Sequence, residues 1–313
     1  MKETEQACSN GHSHLHKGMP VIFRRALSIA CVTLAAASLF FLAHAIPLFA
    51  DGQHFSALRN YVQLQFSPNI SMDNQTMTKL DQACQEFYNS THMDSILFEI
   101  SDELKYACIT NTLDQIPPEQ RYVYLNNGYL TLNPIYDSDG HAIAVDENAY
   151  QLTILAPEEC ALTDSELTDR FQATATMKYF YTEGAKIENE TAFPIIPTKI
   201  IHYPTGQSFF LCTQEYRTKL GTSIIDPIVI VATKGNTSPY MHSHYQTSGA
   251  YMVTRGAATV ALSESGIDAY VSNIKSPYSL FQKSIFYDLL IAFILLCVSI
   301  LCFTFAHRSH QLR

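Results

Sequence analysis

The sequence predicts a membrane protein in which two transmembrane α-helices flank a large α+β extracytoplasmic domain. Three observations carry this expectation. Of the 313 residues, 47% are apolar and only 16% are charged, against about a quarter charged in an ordinary globular domain. The apolar excess gathers into two runs, one near each end. Basic residues lie on the terminal side of each run, whereas the segment between them is acidic.

Ala26 to Ala50 holds no Asp, Glu, Lys or Arg. A helix of that length reaches roughly 35 Å, enough for one bilayer crossing, and the first span is placed at residues 26–48. Leu289 to Ala306 is also uncharged. With Ile285 to Tyr287 as its interfacial start it gives a second span at 285–306, with Asp288 near the outer headgroups. Lys17, Arg24 and Arg25 precede the first span, and Arg308 and Arg313 follow the second. The tails 1–25 and 307–313 are therefore expected in the cytoplasm, with residues 51–284 outside the cell membrane. The outer segment carries 14 basic and 26 acidic residues, a net charge of −12. Ala43-His44-Ala45 has the small-x-small form of a cleavage site, which leaves a secretory signal open as the alternative for the first run. Met19 to Arg25 is amphipathic enough for a short surface helix, limited by Pro20.

The domain at 49–284 is long enough to bury its own core. Met77, Leu80, Cys84, Phe87 and Tyr88 recur at helical spacing behind Asp73 or Asn74, which predicts a capped helix to about Tyr88. Thr163-Asp164-Ser165-Glu166 is a capping-box pattern ahead of Leu167, Phe171 and Met177. Strands are predicted at Ser95–Ile100, Arg121–Leu125, Gln151–Leu155 and the apolar run Pro227–Ala232. Lys199–Tyr203 and Gln207–Cys212 flank Pro204-Thr205-Gly206 and suggest a hairpin. Asn133-Pro134 and Asp139-Gly140 are turn signals.

Cys84, Cys108, Cys160 and Cys212 fall in the outer segment, where two disulfides in any of three connectivities are open; Cys84 to Cys108 is the first expectation, since they bracket one helix-strand unit. The other reading is four buried thiols. Cys31, Cys297 and Cys302 lie within the spans, and their simplest role is packing. Cys8, His12, His14 and His16 could ligate a soft metal, but a tail without supporting residues does not specify one. His242-Ser243-His244 reads as two surface histidines on one strand face. No metal and no cofactor is expected. Five Asn-x-Ser/Thr sequons, at Asn69, Asn74, Asn89, Asn189 and Asn236, matter only in a eukaryotic secretory pathway.

The chain has no Walker phosphate loop, His-Glu-x-x-His, Gly-x-Ser-x-Gly or Cys-x-x-Cys, so no enzymatic activity is expected and ATP hydrolysis would fall to a partner. Apart from His44 and Asp288 near the outer ends, neither span holds an acidic, basic or histidine side chain, which argues against an intramembrane proton path. An acidic chain with no long basic cluster is a poor match for nucleic acid.

Tyr129-Leu130-Thr131-Leu132-Asn133-Pro134-Ile135-Tyr136-Asp137, then Gly140, then Leu152 to Glu158 (LTILAPE), resembles the extracytoplasmic region of bacteriocin-associated integral membrane proteins. Gly206-Gln207-Ser208-Phe209-Phe210 and Ile225-Asp226-Pro227-Ile228-Val229-Ile230-Val231 continue the likeness. The resemblance implies a permease-like component of an ABC-type system for export of, or immunity to, antimicrobial peptides. Its implied partners are the lipid bilayer, a cytoplasmic ATPase, other membrane subunits and an antimicrobial peptide. It offers Asn133, Pro134, Tyr136, Asp137, Gly140, Pro157, Gly206, Gln207, Asp226 and Pro227 as structural or partner-binding positions and no catalytic residue. Such proteins carry further membrane helices after the second span, whereas this sequence stops seven residues later, which suggests a half-length component or a shortened permease. The competing expectation is a two-span scaffold whose outer domain oligomerises without transport.

Overall fold

A computed structural model describes residues 21–50, 56–180, 196–212, 220 and 223–311. Cys8, His12, His14, His16 and Asn189 lie outside them. The chain divides into two compact units, the terminal segments to Asp51 and from Gln282, and the intervening Gly52–Phe281.

In the terminal unit, α1 (Val21–Ala50) and the last helix, α8 (Pro277–Gln311), are the long elements. Their windows Arg25–Ala43 and Ile285–Phe305 are long and apolar enough to cross a membrane, by length and composition. Val21 to Arg25 are the opening turns of α1 and not a separate surface helix. The two helices touch through small residues. Ser38 Oγ donates to the Ala292 carbonyl at 2.9 Å, and Ser299 Oγ donates to that of Cys31 at 3.0 Å. Short side chains let the backbones approach this closely, and cross-helix hydroxyl bonds supply attraction where apolar burial cannot.

The intervening unit is built on one mixed sheet with strands in the order β10-β1-β9-β2-β3-β8-β4-β5. These are β1 (Tyr61–Phe66), β2 (Ser95–Ile100), β3 (Tyr122–Leu125), β4 (Leu152–Pro157), β5 (Thr198–Tyr203), β8 (Ile228–Val231), β9 (Tyr251–Thr254) and β10 (Val271–Lys275). β3 with β8 and β4 with β5 run parallel, and the other neighbours antiparallel. β2, β4 and β8 are buried at every position, the pattern of strands covered on both faces.

One face carries Val62, Leu64, Leu97, Tyr251 and Val253, packed under α2 (Asn74–Thr91), α6 (Pro239–Thr247) and α7 (Arg255–Glu264). Leu152, Ile154, Ile228 and Ile230 continue it against Leu167 and Phe171 of α5 (Asp164–Phe180). Both predicted caps are present: Thr76 N–H donates to Asp73 Oδ1 at 2.9 Å, while Thr163 and Glu166 bond reciprocally. The Asp73 carboxyl is drawn down to about 2 by its bonds from Ser71 and Thr76. α3 (Asp102–Thr110) starts on the Ser101 hydroxyl, which caps Leu104 N–H at 3.2 Å.

On the opposite face, Phe98 stacks on Tyr129 at 5.0 Å. Tyr129 belongs to the short helix α4 (Asn127–Leu132). A two-stranded ribbon, β6 (Ser208–Phe210) with β7 (Ser223–Ile225), meets it where Tyr129 Oη donates to the Phe210 carbonyl at 2.9 Å. α4 presses on β2 so closely that a Cβ at Gly128 would lie 1.7 Å from the Ser95 carbonyl oxygen.

Two sequence expectations are overturned. The hairpin of Lys199–Tyr203 with Gln207–Cys212 does not form, because β5 pairs with β4 and β6 turns away to β7. Parallel pairing with a fully buried neighbour wins over local turn composition. Cys84 and Cys108 are not bridged, and Cys84, Cys108, Cys160 and Cys212 are all thiols. Cys84 is committed to the core under α2, a cluster that excludes Cys108; burial pushes its thiol up.

Asn126 ties the two faces together. Its Oδ1 accepts from Leu97 N–H at 2.8 Å and Tyr129 N–H at 3.0 Å, and its Nδ2 donates to Ser95 O at 3.3 Å and Ser95 Oγ at 3.1 Å. Asn126→Ala would strand two buried amides, so denaturant unfolding of the full-length chain is expected to show a loss of about 2–4 kcal/mol. A change below 0.5 kcal/mol would mean that the bonds are replaceable.

Candidate functional site

The positions carried by the sequence resemblance converge on one loop cluster. β4 and β5 end side by side, with Pro157 level with Tyr203. Glu158 N–H donates to the Tyr203 carbonyl at 2.8 Å, and Tyr203 Oη donates to that of Pro227 at 2.5 Å. Past β5 the chain turns at Gly206, whose φ of 97° only glycine adopts without strain. Asp226, itself at φ 51°, captures that turn: its carboxylate accepts from Gly206 N–H at 2.8 Å and Gln207 N–H at 2.9 Å.

Gln207 reaches the other loop. Its amide accepts from Tyr136 N–H at 2.9 Å and donates to the Tyr136 carbonyl at 2.7 Å, while Asn133 Nδ2 donates to the Ser208 carbonyl at 3.1 Å. Pro134 follows Asn133, the residue that closes α4. Asp137 Oδ1 then accepts from Asp139 and His141 N–H, at 3.0 and 2.8 Å, and Gly140 N–H donates to the Asp137 carbonyl at 3.0 Å. Ser138 Oγ fastens the loop to Glu158 at 2.5 Å. Nine of the ten positions thus sit in three loops cross-braced by side-chain amides and carboxylates, and the tenth, Pro157, ends β4 beside them. Their polar groups are largely spent on the loops themselves. Tyr136 and Ile225 remain as large apolar side chains, 48% and 58% exposed.

Asp137, Asp139 and His141 offer three ligand atoms within 4.8 Å of one another. One Asp137 oxygen already serves two backbone amides, so the arrangement is explained as an Asx-type turn.

A second polar concentration lies between α2 and α6. His242 is 2% exposed, stacks on Tyr88 at 4.0 Å, and its Nδ1 has no hydrogen-bond partner among the described residues. It is on a helix and in the core, which corrects the expectation of a surface strand pair. Burial first, and His92 second, push its imidazole down to about 3. Burial also holds the Tyr88 phenol well above its ordinary range. Nearby, Thr91 and Tyr251 share a 2.8 Å hydroxyl bond, and Gln246 Nε2 donates to the Cys84 carbonyl at 2.8 Å. Neutral imidazole against neutral phenol is a packing arrangement rather than an acid-base pair.

The third is Glu99, whose side chain is 5% exposed. Lys105 Nζ is 2.6 Å away and His244 Nε2 3.3 Å. Burial alone would raise the Glu99 carboxyl, but the bonds and charges of His244 and Lys105 outweigh it and hold it below its ordinary value. Lys105 is raised in turn, Glu99 and Asp102 overcoming its own burial. The sequence reading missed this trio; its only local signal was one Glu inside the apolar run Ser95–Ile100.

No protein-family model matches the chain, and no curated protein matches it at a significant level of similarity.

The two buried groups predict an acid limb in two stages. His242 in the unfolded chain takes a proton near pH 6.5, but in the folded chain only near 3. The unfolded state therefore binds more protons between these values, and stability falls as pH drops below about 6.5. Glu99, depressed in the fold, adds its loss only below its ordinary carboxylate range. Unfolding midpoints measured from pH 7 to 5 should fall in the natural protein and be flatter in His242→Phe. Parallel curves for both proteins would remove His242 from the acid response.

Proposed function

We propose that this is a two-pass membrane protein, with both termini cytoplasmic and residues 51–284 outside, acting as a permease-like subunit of an ABC-type system for export of, or immunity to, antimicrobial peptides. The observation that carries the membrane part is the distribution of exposed apolar side chains. Ile29, Val32, Leu39 and Phe40 on α1, and Phe286, Phe293, Ile300, Leu301, Phe303 and Phe305 on α8, are exposed. A continuous surface of this kind needs a cover, and lipid supplies one without further protein. The basic residues flanking the spans support the orientation.

The assignment to peptide export or immunity rests on the resemblance of the loop segments. In this reading the braced loops present Tyr136 and Ile225 to a partner, and the spans couple to an ATPase carried on another chain. The outer net charge of −12 favours a cationic peptide through long-range attraction that salt weakens.

Tagged full-length protein extracted in a mild detergent, after an alkaline wash of the membranes, tests both parts. Retention in the washed membrane and co-purification of an ATPase with a polytopic subunit are the expected results. Release by the wash would remove the two-pass premise. Recovery of self-oligomers alone would favour the scaffold and end the transport reading.

A further inference from the structure

The two hydroxyl bonds between α1 and α8 fix a register. Seven residues forward along α1, from Cys31 to Ser38, correspond to seven back along α8, from Ser299 to Ala292. The helices are therefore antiparallel. A seven-residue step on both partners keeps one seam in contact over two turns. Cys302 lies three residues beyond Ser299 and so shares its face of α8. Its level is offset from that of Cys31 by about 4.5 Å along the axis.

Side-chain direction closes this offset. Every Cα–Cβ bond on a helix tilts toward that helix's N-terminus. On α1 this tilts Cys31 toward the level of Cys302, and on α8 it tilts Cys302 back toward the level of Cys31. The two side chains therefore face each other across the seam, close enough for the thiols to interact. Cys31 is 8% exposed and Cys302 half-buried, and both are reduced.

We propose that Cys31 and Cys302 form a modification site, a thiol pair that a small-molecule disulfide converts to a covalent bridge between α1 and α8. One cysteine thiolate attacks a sulfur of the small disulfide, whose S–S bond breaks as the first small thiol leaves. The second cysteine thiolate attacks the resulting mixed disulfide, forming the Cys31–Cys302 bond and expelling the second small thiol. The cysteine pair loses two electrons and two protons; the small disulfide gains both and ends as two thiols. Exchange with an excess of small thiol reverses the step. The bridge locks the register of the helix pair, whatever that pair does, and so does not rest on the transport reading.

The test treats full-length protein in detergent micelles with 4,4′-dithiodipyridine, alkylates remaining thiols, and maps linked peptides by mass spectrometry without reduction. The expected product joins a Cys31 peptide to a Cys302 peptide. It should vanish in Cys31→Ser and in Cys302→Ser, persist in Cys297→Ser, and fall several-fold when the protein is denatured before oxidation. Linkage of Cys31 to Cys297, recovery of Cys31 and Cys302 as separate adducts, or equal yield from denatured protein would each overturn the proposal.

Discussion

The intervening domain depends on one constraint, that its central strands are apolar on both faces and must be covered twice. β2, β4 and β8 have no polar face to offer water. Helices α2, α5, α6 and α7 cover one side, and α4 with the β6/β7 ribbon covers the other. Most other features follow from getting the second layer close enough. Gly128 removes the Cβ that would collide with β2, and the buried side chain of Asn126 satisfies one amide of β2 and one in the first turn of α4. The same coverage takes Glu99 and His242 out of water, and the first is paired while the second is held neutral.

The terminal helices solve a different problem. Their contact rests on two serine hydroxyls and on small residues rather than on apolar burial, since their outer surfaces remain apolar. In the proposed bilayer this is a sufficient design. Lipid tails compete equally well for leucine and phenylalanine, so specificity must come from close approach and from hydrogen bonds.

Local signals in the sequence were legible and distant ones were not. The Asp73 cap and the Thr163–Glu166 box sit where side-chain chemistry and helical spacing place them. The apolar runs at Ser95, Gln151 and Pro227 are strands because only a covered sheet accepts them. α6 escaped because Met241, Tyr245 and two histidines give little amphipathic contrast around Pro239. The false hairpin arose because Pro204-Thr205-Gly206 specifies a turn and not a partner. The loop positions from Asn133 to Pro227 were singled out in sequence, yet their convergence was invisible there: Gln207 and Tyr136 are 71 residues apart. The Glu99, Lys105 and His244 trio is dispersed in the same way.

The pairing of β1 with β9 and β10 has a consequence for biosynthesis. Tyr61 lies opposite Thr254, and Gln63 opposite Lys275. The first strand of the domain therefore has no ladder partner until roughly 190 further residues have been made, a long wait by the measure of contact order. During that interval Val62 and Leu64, destined for the core, are exposed on an unclosed edge open to misassociation. Completion of the sheet falls at Lys275, two residues before α8 begins. A nascent chain thus receives its last strand immediately before its last helix, so a chain truncated anywhere upstream of Val271 would leave an unsealed sheet as a substrate for quality-control proteases.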